Sequence, residues 1–183
     1  ANTANTAIAP NATNISNNTA EESSVLPELG DFRCLDPLRV RWAEVDLQKI
    51  VFNGHYLMYL DTAMADYWRV LALPYEEAMH QLGGDLYVKK AAVEYHGSAR
   101  YDDSLDVGLK CARIGNSSIQ FVGAIFRGED LLITAELIYV YADPSTQTSR
   151  PVPDVLRQVM LGYEAGESVL QLRQAVPPDG WNE

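Results

Sequence analysis

The pattern of apolar and polar positions divides the chain into a featureless opening and a regularly patterned remainder. Residues 1–30 read ANTANTAIAPNATNISNNTAEESSVLPELG, without a Lys, Arg, Phe, Tyr or Trp. So little apolar area cannot offset the entropy of ordering, which predicts a flexible tail over residues 1–35. Next, Leu38, Val40 and Trp42 alternate with Arg39, Arg41 and Ala43, the period of a strand. A loop follows from Glu44 to about Asn53. Leu57, Leu60, Met64, Tyr67, Trp68 and Leu71 recur at steps of three or four, which predicts a long helix with one apolar stripe. Residues 74–82 are expected to form a short helix closed by Gly83 and Gly84.

Strand patterns dominate from there. Residues 86–99 alternate imperfectly, and Tyr101-Asp102-Asp103 reads as a turn. Leu105, Val107, Leu109 and Cys111 alternate up to a turn at Gly115-Asn116. Ile119, Phe121, Gly123 and Ile125 lead to a turn at residues 127–130, and residues 131–141 form a long strand. Tight turns between such strands predict an antiparallel meander. Residues 153–164 suit a helix with Pro153 or Asp154 in its first turn. The stretch from 166 to 183 is expected to be a second tail.

This order predicts an α+β domain over residues 36–165, in which a long antiparallel sheet wraps around a central α-helix. A helix coated on one side only would leave Trp68 and its neighbours exposed. Its bare side, or the free edge of the sheet, is expected to meet another subunit.

Charge and composition narrow the partners. The chain has 183 residues with Lys+Arg 14 and Asp+Glu 25, a net charge of −11. Such an acidic chain is a poor match for nucleic acid or an anionic membrane. No apolar run approaches the roughly 18 residues of a spanning helix, and residue 1 onward shows no basic, then apolar, leader. The expected location is cytoplasmic, with Cys34 and Cys111 reduced. Three scattered histidines, His55, His80 and His96, make no metal site, and no cofactor is expected. Asn11, Asn14, Asn17 and Asn116 open Asn-x-Ser/Thr triplets, which arise readily in an Asn/Thr-rich chain.

The candidate chemistry lies in residues 41–60, RWAEVDLQKIVFNGHYLMYL. Asn53-Gly54-His55 falls where the long helix begins, where backbone N–H groups are unpaired and the helix dipole is positive. Gly54 lets a ligand approach the main chain closely. Asn53 and Gly54 could therefore stabilise an oxyanion. Asp46, on the preceding loop, could attack a carbonyl or deprotonate a water that does. Taken alone, Asp46 could equally be a solvated or capping carboxylate. Glu44 reads as a solvated neighbour. His55 could be a base, with an unperturbed pKa near 6.5, or a polar lining residue.

With Asp46, Ile50-Val51-Phe52, Asn53 and Tyr56-Leu57 in this order, the segment resembles the signature of the 4-hydroxybenzoyl-CoA thioesterase family of hotdog-fold acyl-CoA thioesterases. The turn Tyr101 to Leu105, the segment Arg113 to Ser118, and the closing Val140 to Asp143 with Pro151 to Pro153 resemble later features of the family. The resemblance covers about residues 36–165. It implies a hotdog fold and a homodimer that often doubles to a homotetramer, with active sites at the dimer interface. It implies an acyl-CoA substrate, Asp46 as the catalytic carboxylate, and the Asn53 or Gly54 amide polarising the thioester carbonyl. Tyr56 matches a frequent Tyr at the helix start, structural or lining the pocket. Arg113, Asn116, Ser117 and Ser118, with Lys89 or Lys90, are candidates for the phosphates or pantetheine arm.

The sequence departs from the pattern at Lys49, where many members carry Gly, and at Asn53, where some carry His. Two rival readings follow. A non-catalytic hotdog protein would bind the acyl thioester or serve assembly only. A hotdog dehydratase would use His55, not Asp46, as its base.

Overall fold

The computed structural model describes residues 25–175. The triplets at Asn11, Asn14 and Asn17, most of the first expected tail, and residues 176–183 of the second lie outside the described residues. Five strands form one antiparallel sheet in the order β1-β3-β4-β5-β2. They are β1 (Cys34–Arg39), β2 (Asp85–Tyr95), β3 (Ser104–Ile114), β4 (Ser118–Arg127) and β5 (Asp130–Ala142). The helices are α1 (Asn53–Val70), α2 (Tyr75–Leu82), α3 (Asp154–Glu164) and α4 (Val169–Ala175). This is the expected α+β arrangement: the long helix α1 lies against one face of the sheet.

The stripe on α1 explains that packing. Tyr56, Tyr59, Leu60, Ala63, Met64, Tyr67 and Trp68 are buried, recurring at steps of three and one. Leu60 fits over Gly123 of β4, where an added Cβ would lie 2.6 Å from the leucine Cδ2. Tyr67 meets the Phe121 ring edge-on at 5.2 Å. Trp68 is buried rather than exposed, because Tyr67 and Tyr75 cover it within the same chain, at 6.0 and 5.4 Å between ring centroids. The bare side of α1 lies instead at Leu57, Met58 and Val70.

The first strand sits earlier than its alternation suggests. It starts at Cys34 and stops at Arg39, and Trp42–Glu44 is a 3-10 turn. Glu44 causes the change. Its carboxylate accepts the Arg41 N–H at 2.7 Å, and its own N–H bonds Arg41 O at 3.0 Å. Those two bonds curl the chain and leave Trp42 74 % exposed. Pro37 is tolerated because β1 is an edge strand.

Packing also extends past both expected domain boundaries. Phe32 and Cys34 are buried, and Phe32 meets Phe126 edge-on at 5.9 Å. At the far end α4 follows residue 166, and Leu172 is buried. Arg33 ties the two ends together: its guanidinium donates to Tyr163 O at 2.6 Å and Glu167 O at 2.9 Å, and lies 4.4 Å above the Tyr163 ring.

Both cysteines are buried. Burial, with Asp36 and Glu164 nearby, pushes the Cys34 thiol up to about 11. Burial and Glu164 push Cys111 up to about 12. Neither is an activated nucleophile.

Candidate active site

Asp46 lies in a tight loop between β1 and α1. Val45 and Val51 pair as an isolated antiparallel bridge. Asp46 N–H donates to Ile50 O and Lys49 N–H to Asp46 O, both at 2.9 Å. The Asp46 carboxylate accepts the Gln48 N–H at 2.7 Å, an Asx turn. Lys49 closes the loop at φ 62°, in the left-handed region that a glycine enters without Cβ cost. Lys49 thus holds a backbone conformation that Gly also adopts, at the position where the resemblance leads one to expect Gly.

The loop leads directly into α1. Phe52 is the N-cap and supplies no side-chain cap. The first-turn amides of Asn53 and Gly54 have no carbonyl one turn earlier to bond. Gly54 lines an apolar cleft of about 370 Å³ between α1 and the sheet, together with Leu57, Met58, Asp61, Val88 and Tyr139. A second cleft of about 370 Å³ shares Asp61, Val88 and Tyr139 and runs on to Trp68, Tyr75 and Phe121. The helix start thus borders the first of two neighbouring apolar clefts along α1. Asp46 is not among the residues lining these two clefts.

The remaining candidates fall into two groups. Near the loop, His55 is half-buried with its ring 6.0 Å from Phe52. Tyr56 is buried, and its hydroxyl accepts the Ala99 N–H at 2.9 Å, so it holds residue 99 to the helix and does not reach the cleft wall. The other group sits at the far end of β3. Val40 bonds Asp103 at the loop end of β3, whereas Arg113 lies near its other end and Asn116 to Ser118 form the turn from there into β4, about 30 Å along the strand. Within one chain the structure does not bring them to Asp46. Lys90 pairs with Glu136, on the sheet face opposite Leu137 and the cleft.

Three residues at the site escaped the sequence pattern. Glu44 is not solvated: it is 4 % exposed, and its carboxylate accepts from the Arg41 N–H, the Arg41 Nε and the Tyr59 hydroxyl, each at 2.7 Å. Burial would raise its pKa, but the Arg41 main chain, the Tyr59 hydroxyl and the Arg41 guanidinium together hold the carboxyl below the usual range. The second, Tyr59, looks purely apolar on the helical stripe. The third, Tyr95, donates to Asn53 O at 3.3 Å from across the helix start. The Arg-x-x-Glu spacing hinted at the turn, but nothing in the sequence joins residues 44 and 59.

Comparison with known proteins bears on the family and the fold. A family model described as the thioesterase-like superfamily matches residues 40–160, about two thirds of the chain. The chain belongs to the thioesterase-like superfamily. It is 26 % identical over 118 residues to the acyl-CoA thioester hydrolase YbgC of Escherichia coli O6:H1, covering 64 % of this chain and 87 % of that protein. A 1,4-dihydroxy-2-naphthoyl-CoA thioesterase from Synechocystis superposes with a TM-score of 0.64 at 16 % identity, covering 69 % of this chain and 94 % of its own. A Staphylococcus aureus protein solved in complex with CoA gives a TM-score of 0.67 at 13 % identity, over 73 % of this chain and 85 % of its own. The fold is the hotdog fold that the sequence leads one to expect. Among the described residues no helix is long and apolar enough to cross a membrane.

Proposed function

We propose that the protein is an acyl-CoA thioesterase of the 4-hydroxybenzoyl-CoA thioesterase type, releasing a free acid and CoA. The observation that carries the reading is the uncapped start of α1, with Gly54 on the wall of an apolar cleft and the Asp46 loop immediately before it. Membership of the superfamily and the named activity of the E. coli relative support it. The acyl group lies in the cleft along α1, where burial of apolar area favours it. The thioester carbonyl points at the Asn53 and Gly54 amides, which stabilise the oxyanion as it forms.

Asp46 serves one of two routes. As a base it takes a proton from water while the oxygen attacks the carbonyl carbon; the C–S bond then breaks and the thiolate leaves. As a nucleophile it forms an acyl–aspartyl anhydride as CoA departs, and water then cleaves the anhydride.

The reading includes a homodimer. The free edge of β2 and the adjacent side of α1 expose Val88, Tyr95, Leu57 and Met58, an apolar strip on an unpaired edge. The assignment of Arg113, Asn116, Ser117 and Ser118 to the CoA arm then requires a second chain to bring them to Asp46. A binding protein is the second reading, favoured by the bond that the Asp46 carboxylate makes within its own loop.

Free-thiol release from short, long and aromatic acyl-CoAs tests the proposal. Turnover that collapses in Asp46→Asn is expected. Stabilisation by acyl-CoA without its consumption would favour the binder. Turnover that survives Asp46→Asn and is lost in His55→Ala would move the chemistry to the histidine.

A further inference from the structure

We propose that Glu44 and Tyr59 act as positioning residues for Asp46, an inference that rests on the thioesterase reading. Glu44 is the one charged residue buried among the described residues. Its partner Arg41 keeps a side chain 76 % exposed while the Glu44 side chain is 5 % exposed, so the carboxylate alone bears most of the desolvation. A charge is held in such a place only if several donors meet it, and here they come from two elements. Arg41 supplies donors from the turn. Tyr59 supplies the one donor from α1, on the second turn of the helix whose first turn carries Asn53 and Gly54.

The main chain of Glu44 adds a second tie. Its carbonyl accepts the Phe52 N–H at 2.9 Å, the residue that caps α1. Residues 44 and 52 therefore form the base of the loop, the Val45–Val51 bridge forms the next rung, and Asp46 comes directly after it. One tie holds the loop base to the helix cap, and the other holds it to the helix face. Together they fix where Asp46 stands relative to the α1 amides. Neither Glu44 nor Tyr59 lines the two clefts at α1. Their effect passes through the placement of another carboxylate, where an error of about 1 Å can cost on the order of 100-fold in rate.

The test is a double-mutant cycle read by thiol release. Tyr59→Phe removes one hydroxyl from a buried ring and leaves Asp46, Asn53 and Gly54 themselves unsubstituted. It is expected to lower kcat about ten-fold with KM unchanged, and Glu44→Gln to lower it at least as far. In an Asp46→Asn background, Tyr59→Phe is expected to cause no further loss, because the group it positions is already gone. Wild-type kcat in a folded Tyr59→Phe variant, or a full ten-fold loss repeated in the Asp46→Asn background, overturns the positioning role. If Glu44→Gln does not fold, Tyr59→Phe still decides. No thiol release from wild type on any acyl-CoA overturns the thioesterase reading and this role with it. Release by wild type and Tyr59→Phe alike overturns this role alone.

Discussion

The polar segments at the two ends of the β1–β3 pair are put to opposite use. At the far end, residues 114–118 spend their main chain on the fold. Arg157 donates to Ile114 O at 3.0 Å and to Gly115 O at 2.9 Å. Asn116 O accepts Val152 N–H, Ser117 O accepts Tyr141 N–H, and Ser118 O accepts Gly115 N–H, at 2.8, 2.8 and 2.7 Å. At the near end, the turn Trp42–Glu44 and the Asp46 loop also bond to themselves, but they deliver the chain to a helix start where, among the described residues, the Asn53 and Gly54 amides have no main-chain partner beside an apolar cleft. Polar residues at a turn are therefore poor evidence of a site. What matters is whether the donors and acceptors there are already committed to the fold.

The largest expected effect separates the two ends by activity. Asp46→Asn is expected to lower kcat about 100- to 10,000-fold, the range of a lost acid–base or nucleophilic group, with little change in melting temperature. Steady-state kinetics and a thermal scan on the same sample check both halves.

The reverse profile is expected at the far end. Arg157→Ala removes two hydrogen bonds from carbonyls of the turn and should cost about 1–3 kcal/mol, or roughly 3–10 °C in melting temperature for a chain of this size. Turnover per folded molecule should stay at the wild-type value. A rise in KM for acyl-CoA would support the assignment of the far turn to the CoA arm of a site completed by a second chain.

A pH series sharpens the near end. Glu44 is held below its unfolded value, near 4.3 for a free Glu. Its stabilising contribution is therefore fully present above that value and is lost as pH falls through the lower, folded pKa. Wild type should lose stability across that acid window, and Glu44→Gln should show a flatter dependence there. Equilibrium urea unfolding from neutral pH down to about pH 3 measures the difference. Equal slopes would show that the Glu44 carboxylate contributes nothing to acid stability.

The smallest effect concerns Lys49. Its φ of 62° costs a side-chain-bearing residue on the order of 1 kcal/mol, which glycine avoids at some entropic cost. Lys49→Gly should raise the melting temperature by about 1–3 °C and leave kcat within two-fold. A kcat change beyond that would show that the ammonium acts on the substrate and not on the loop alone.

Much of the fold was legible in the sequence because it is written in local periodicity. The α1 stripe, the helix ended by Gly83 and the alternating runs of β3 and β4 each depend on neighbours within one or two turns. Where the reading slipped, a distant partner had overruled the local pattern. Trp42 belongs to an alternating run, but Glu44 pulls the chain out of the strand. Trp68 lies on the expected stripe, but α2 folds back to cover it. The boundaries at 36 and 165 missed Phe32 and Leu172, because what buries each of them is a contact far away in sequence.

The site divides along the same line. Residue order alone determined that a carboxylate, a tight loop, a glycine and a helix start follow one another, because hydrogen-bonding requirements at a helix N-terminus are local. Only the tertiary structure decided which polar residues are free to act. It buried Glu44 against Tyr59, took the Tyr56 hydroxyl for residue 99, and carried Asn116, Ser117 and Ser118 to the far end of the sheet. Burial and hydrogen-bond satisfaction are properties of the packed chain, set by residues tens of positions apart, and no local pattern encodes them.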